Sequence, residues 1–314
     1  MIARRLPARG PSRRPRISFI TSSVPAGLTA ALVLGRMRRR VALLDGDDPA
    51  HAPSEAVHGF LGHDGAPPAD LRRIGREQLA PYTSVDTRMA EVGGASVEDG
   101  GFSLHVGGEV IAAAFVLLAA GMRYRPPAID GIDRVWARGA YHCPYCHGWE
   151  VRNLPLAAHG ADEMGVHLAL LLTSLSGDVV LLTDGDDGLA PEQKAELLDA
   201  GIAIREQPIA RLESEGDRLA RVAFADGATE ERAGLFFAPA FDPSPLIVEL
   251  GCETDDSGAI VIDSEGRTSV PGLFAAGDAT TEKKAVVLAA AAGSRAAYAI
   301  NAELAHRRGA ARIG

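Results

Sequence analysis

Near its start the chain runs from an apolar strand through a short turn into an Ala/Leu-rich helix, and the same order returns in its middle. The first opening is Ile17–Thr21, then Ser22, Ser23, Val24, Pro25, Ala26 and Gly27, then Leu28 to Arg38. A second strand, Val41–Leu44, ends at Asp45. Strand, crossover helix and strand make a βαβ unit of dinucleotide-binding type, with an acid at the strand end to take ribose hydroxyls. Arg38 to Arg40 are expected at the helix C-terminus, where cations suit the macrodipole. The second opening is Leu154–Ala158, Gly160–Gly165 and Val166–Ser174, followed by the strand Asp178–Thr183. A third segment, Ser269 to Asp278, delivers Gly277 and Asp278 to the start of a helix expected from about Lys284. Strands alternating with helices place the chain in the α/β class.

Between the two openings lies Cys143-Pro144-Tyr145-Cys146-His147-Gly148. Two thiols at this spacing close a small-ring disulfide, and a neighbouring imidazole favours thiolate over thiol. One further cysteine, Cys252, follows the strand-like run Leu246–Leu250 and is expected to stay outside the pair. A chain this poor in cysteine is not stapled by disulfides, so the close pair points to redox chemistry. Half a zinc site is a rival, but no second Cys-x-x-Cys or nearby His pair completes four ligands, and no metal site is expected. Covalent haem attachment also uses C-x-x-C-H, but needs export, and no signal peptide is evident. Tyr145 and Trp149 suit either an apolar substrate mouth or core packing.

At 314 residues there is room for two domains. The apolar content of 46% and charged content of 23% are those of a soluble globular protein. A net charge of −9 argues against general nucleic-acid binding. No acid precedes Asp45, while six arginines crowd residues 4–16. Pro7, Pro11 and Pro15 forbid an amphipathic helix there, so residues 1–15 are read as a disordered basic tail. The longest apolar helix candidate, Ala285 to Ala305, is interrupted by Gly293 and Arg295 and reads as a buried helix, not a membrane span. A cytoplasmic location is expected.

Together these segments resemble the low-molecular-weight thioredoxin reductase family of two-domain flavoproteins. Leu118-Ala119-Ala120-Gly121 is similar to that family's A-T-G linker motif, and Gly272 to Asp278 to its closing flavin motif. The resemblance implies two Rossmann-like, three-layer nucleotide-binding domains, the second inserted in the first. Residues 16–120 and 244–314 would form the FAD domain, and 121–243 the central domain with the dithiol. It implies a homodimer, and FAD contacts from residues 22–27, Asp45, Gly121, Gly277, Asp278 and Ala285. Within the family, His142 to Glu150 and His58-Gly59-Phe60-Leu61-Gly62 most resemble the dithiol oxidases of disulfide natural products, of gliotoxin and holomycin type. Ordinary thioredoxin reductases carry Asp after the second cysteine. His147, which titrates near neutrality, suits a base for substrate thiols. Cys143 would be the outer sulfur attacked by substrate, and Cys146 the inner one facing the flavin.

Two departures bear on cofactors. In the second loop Asp162 and Glu163 stand where a pyrophosphate would approach, and Thr183-Asp184-Gly185-Asp186-Asp187 stands where an NADPH enzyme would place Arg. Like charges at a few ångströms cost kcal/mol in a semi-buried site, so NADPH is not expected to bind. A plainer reading makes both acids helix-start residues. In the first loop Gly27 alone survives of G-x-G-x-x-G, which weakens FAD without removing the helix-start amides. Three functions follow: an FAD-dependent dithiol oxidase using dioxygen, an NAD(P)H-dependent disulfide reductase, and a flavin-free scaffold or non-redox enzyme on the same fold.

Overall fold

The computed structural model describes residues 16–21, 25–50, 52–186, 188–280 and 283–313. The basic tail at 1–15 and the loop residues Ser22, Ser23 and Val24 lie outside the described residues. Two large sheets carry most of the strands, and a three-stranded and a two-stranded sheet carry the rest. The first draws on both ends of the chain: β1 (Arg16–Thr21), β2 (Val41–Asp45), β3 (Val85–Met89), β4 (Val92–Glu98), β5 (Gly101–Val106), β6 (Glu109–Ala119) and β17 (Leu273–Ala275). Its order is β3-β2-β1-β6-β5-β4, with β17 also on β6. Pairs from β3 to β6, and β6 with β17, are parallel, while β4 and β5 form an antiparallel meander.

Alternation along β6 builds two cores. Phe115, Leu117 and Ala119 face α1 (Pro25–Arg36) and α8 (Val286–Ile313), whereas Val116 and Leu118 face Leu104, Leu246 and Ile260. Strand side chains alternate with period two, so a strand covered on both faces reads as one apolar run. The helix α2 (Pro68–Leu79) packs beside α1.

The second sheet is all parallel, in the order β11-β10-β9-β15-β8. Its strands are β8 (Ala140–Tyr141), β9 (Leu156–His159), β10 (Val179–Leu182), β11 (Ala203–Arg205) and β15 (Gly234–Phe237). One face packs on α5 (Glu163–Leu172) and α6 (Pro191–Asp199) through Ala158, Leu181 and Phe236. The other packs through Ala157, Val180 and Phe237 on the antiparallel sheet of β12 (Ile209–Glu215), β13 (Arg218–Phe224) and β14 (Thr229–Glu231) and on the short helix α3 (Ile132–Val135). The architecture is α/β with two Rossmann-like units. The chain passes between them along β7 (Arg123–Arg125) and β16 (Ala240–Asp242), which pair antiparallel.

Three local expectations change. The run Leu246–Leu250 is not a strand; Pro245–Glu249 forms α7, started by Pro245, with Leu246 and Ile247 buried and Val248 79% exposed. Neither Gly293 nor Arg295 interrupts α8, which is helical throughout and starts at Val286 rather than Lys284. Arg38 falls beyond the end of α1 with φ 54°, and Arg39 reaches across to Asn301 Oδ1 at 2.6 Å instead of capping its own helix. No helix among the described residues is long and apolar enough to cross a membrane.

Gly293 is where α8 crosses the first turn of α1. A Cβ there would stand 2.1 Å from the Ala26 carbonyl oxygen. Ala in a helix interior is favoured over Gly by about 1 kcal/mol, but overpacking a close contact costs about 1–3 kcal/mol. Gly293→Ala is therefore expected to lower the melting temperature, although it improves helix propensity. A melting temperature equal to or above that of the unsubstituted chain would show that the two helices separate without cost.

Candidate active site

Cys143 leaves β8 extended, and Pro144 starts the one-turn helix α4 (Pro144–His147). Proline lacks the N–H that a helix start leaves unpaired, so the turn forms directly after Cys143. The turn returns Cys146 to Cys143, Cα atoms 5.3 Å apart, and the two form a disulfide. Cys252 is free and half-buried, and burial pushes its thiol up, against a weaker opposing hydrogen bond with Thr268.

His147 lies at the end of this turn. Its ring stacks on Tyr141, centroids 4.9 Å apart at 18°, and its Nε2 lies 3.3 Å from Ser54 Oγ. Its Nδ1 is shut off from water and has no hydrogen-bond partner. Burial pulls the ring's pKa below the ordinary value; Glu150 opposes this and His58 adds to it. His58 itself sits 3.4 Å from Glu150 and 3.6 Å from Asp64. The residue before Cys143, His142, stacks on Tyr124 at 4.4 Å and on Trp136 at 6.1 Å. Burial first, then His147 and Lys284, hold His142 down to about 4, so it is neutral at pH 7. Tyr145 and Trp149 are 81% and 66% exposed, so neither is core, and the Arg152 guanidinium sits 4.0 Å over the Trp149 ring.

Cys146 and His147 open on a cavity of about 1030 Å³. Its far wall lies at the carboxyl ends of β2, β6 and β17, with Gly46, Gly121, Gly277 and Asp278, and at the helix starts with Pro25 and Ala285. Open α/β sheets bind ligands outside such strand ends. Asp278 accepts a 3.0 Å hydrogen bond from Tyr124 Oη. Burial raises the Asp278 pKa against the opposing pull of Tyr124 and Lys284. Ala26 and Gly27 are buried under this wall without lining the cavity. Asp45 is 1% exposed, and both its oxygens are engaged: Oδ2 with Arg76 at 2.8 Å, Oδ1 with the Asp47 amide at 2.9 Å. Arg76 thus already occupies the carboxylate that the sequence offers to ribose.

In the second unit, Asp162 is the N-cap of α5, and its Oδ1 accepts from the Gly165 amide at 2.8 Å. Asp184 Oδ1 accepts from the Ile209 amide, and Asp186 Oδ1 from Gly188. Asp162 and Asp186 thus satisfy backbone donors of their own loops, and Asp184 one at the start of the strand Ile209–Glu215.

Contacts between the units reach His147, next to the disulfide, and Glu150. The segment 46–64 of the first unit delivers Ser54 and His58 to the second, and Glu55 to Arg138 at 2.5 Å. Arg138 also holds Asp217 at 2.8 Å, and Arg123 on the connecting strand holds Asp48 at 3.0 Å. Ser54, Tyr124, Trp136 and Tyr141 carried no signal in the sequence as site residues, and Glu150 stood only at the end of a stretch noted for its resemblance. His58 stood in a segment noted for its resemblance alone.

A two-sheet α/β protein whose disulfide opens on a cavity at the strand ends of the other sheet is an enzyme of the disulfide oxidoreductase class. The chain belongs to the pyridine nucleotide-disulphide oxidoreductase family, whose model matches residues 23–296. It is 28% identical to "Thioredoxin reductase sirT" of Leptosphaeria maculans over 303 residues, covering 90% of this chain and 93% of that one. The crystal structure of HlmI superposes with a TM-score of 0.89 at 35% identity, covering 96% of each chain. An oxidoreductase from Agrobacterium tumefaciens superposes with a TM-score of 0.87 at 30% identity, covering 93% of this chain and 99% of that one.

Proposed function

We propose that this chain is an FAD-dependent dithiol oxidase that closes a disulfide in a small-molecule substrate, with dioxygen as acceptor. One observation carries the reading: the Cys143–Cys146 disulfide and the strand-end wall of Gly46, Gly121, Gly277 and Asp278 share one cavity. The cavity accommodates a dinucleotide in size, and Pro25, Gly121, Gly277, Asp278 and Ala285 are the residues that would hold one. FAD bound there would take the two electrons left on the Cys143/Cys146 dithiol and pass them to dioxygen, giving hydrogen peroxide. The protein's own part is thiol–disulfide exchange. His147 takes a proton from a substrate thiol, and the thiolate attacks Cys143. The second substrate thiol then displaces Cys143 and leaves as the product disulfide.

The runner-up, an NAD(P)H-linked disulfide reductase, is favoured by the names that relatives such as "Thioredoxin reductase sirT" carry. Against it stand the acids of the second loop, where Asp162 already takes the Gly165 amide at the start of α5. A helix start binds anions through such free amides. The absorbance of FAD-reconstituted protein decides. Under anaerobic conditions a dithiol such as dithiothreitol is expected to bleach it, and air to restore it with one hydrogen peroxide per disulfide formed. NADPH and NADH at micromolar concentration are expected to leave it unchanged. Bleaching by NADPH would restore the reductase. A protein that takes up no FAD at any concentration would sink the oxidase.

A further inference from the structure

Lys284 stands just ahead of α8 and lines the cavity that Cys146 and His147 also line. The acids around it have other partners. Asp48 and Asp242 pair with Arg123 and Arg125 at 3.0 and 3.3 Å, and Glu249 accepts from the Ala95 amide at 2.8 Å. Asp278 accepts from Tyr124, and Asp255 from the Ser257 hydroxyl and the Ala259 amide. Lys284 pairs with no carboxylate among the described residues, and its Nζ rests 4.9 Å over the Phe241 ring. That ring lies 5.5 Å from Tyr124, which stacks on His142, the residue before Cys143. The ammonium charge bears on both His142 and Asp278. Lys284 follows β17, whereas the cavity residues Ala90 and Glu91 follow β3, and β6, β1 and β2 separate those two strands. Lys284 therefore belongs to the disulfide end of the cavity. A group that takes electrons from Cys146 has to meet its sulfur, so its redox-active ring belongs at the same end.

We propose that Lys284 is the cation that stabilises the negative charge a flavin ring gains here on accepting the electrons of the dithiol. The proposal rests on the FAD-dependent oxidase reading above. Closing the Cys143–Cys146 bond releases two electrons and two thiol protons. The oxidised ring is neutral; two electrons and one proton leave it with one negative charge, and the second proton goes to solvent. Dioxygen then takes both electrons, the proton on the ring and one proton from solvent, leaves as hydrogen peroxide, and the ring is neutral again. An ammonium beside the ring favours its charged, reduced form over its neutral one. Charge near the ring is a lever by which a protein sets flavin electronics. A cation already in place where charge develops needs no reorganisation when the electrons arrive.

Sulfite, added to the oxidised, FAD-reconstituted full chain, tests this without dithiol or turnover. It bonds to the flavin ring through its own electron pair, bleaches the absorbance and leaves the ring with the negative charge that reduction gives it. The unsubstituted protein is expected to form this adduct. Lys284→Met is expected to raise the sulfite Kd about tenfold or more, as removing one charge at a few ångströms in a semi-buried site does. Lys284→Arg, which keeps the charge, is expected to restore it. Lys283→Met removes the same charge from an exposed neighbour that does not line the cavity, and is expected to change nothing. No adduct in the unsubstituted protein, a Kd unmoved by Lys284→Met, or one moved equally by Lys283→Met would overturn the proposal. Loss of FAD from Lys284→Met would also overturn it, because the ammonium would then hold the oxidised cofactor rather than favour the reduced one. A sulfite Kd that depends on Lys284, in a protein whose flavin no dithiol bleaches, would overturn the oxidase reading and leave this assignment standing.

Discussion

Replacing either Cys143 or Cys146 by serine is expected to reduce dithiol oxidation about a thousandfold or more, to the rate of exchange without enzyme. The reaction passes through a covalent bond to sulfur, and a hydroxyl neither forms nor leaves a disulfide. The two variants should differ in what they trap. Cys146 lines the cavity with His147, while Cys143 is the N-cap residue just before the turn. Cys146→Ser leaves Cys143 free to capture an oxidised substrate as a mixed disulfide, and mass spectrometry should find that adduct. Cys143→Ser should hold little or none. An adduct forming on Cys146 in preference would reverse the assignment of outer and inner sulfur. Activity retained in both variants would remove the dithiol from the mechanism.

Loss of His147 is expected to have the next largest effect. General-base catalysis contributes roughly 10²–10⁴-fold, and His147→Gln should lower kcat/KM by a factor in that range. The pH dependence identifies the cause. Burial sets the pKa of the ring below its ordinary 6.5, so the neutral, proton-accepting form prevails at pH 7. Lowering the pH through that pKa adds a proton and removes the base. The acid limb of kcat/KM, which reports the free enzyme, should thus lie below pH 6.5 and disappear in His147→Gln. A variant with normal activity and an unchanged acid limb would place the base elsewhere.

Much of the fold can be read from local signals. The apolar runs of β2, β9 and β10 are buried on both faces, and the orders β1-α1-β2 and β9-α5-β10 match the two βαβ openings read in the sequence. The Cys143/Cys146 turn is equally local, since spacing and Pro144 suffice to define it. What could not be read depends on distant pieces of chain. Gly293 resembles a helix breaker until Ala26 is placed beneath it, where the missing side chain becomes a condition of contact. The 245–249 run has too few residues for periodicity to separate strand from helix, and its Pro-started turn decides the matter. Asp45 is the acid that the sequence offers to ribose, but nothing in its neighbourhood announces Arg76, 31 residues on. Ser54 is a polar residue in a loop, with no pattern to single it out; its relation to His147 exists only once two units are assembled.

The seam between those units has a character of its own. Its ion pairs, Glu55–Arg138 and Arg123–Asp48, are partly or largely exposed, whereas each sheet rests on apolar residues closed to solvent. Exposed pairs weaken as electrolyte rises, because the screening length shrinks to about 3 Å at 1 M, while apolar burial does not weaken in this way. Concentrated sodium chloride therefore acts on this protein selectively. It is expected to weaken the joint between the units more than the interior of either half, and dithiol oxidation unchanged at 1 M sodium chloride would show that these pairs do not hold the joint.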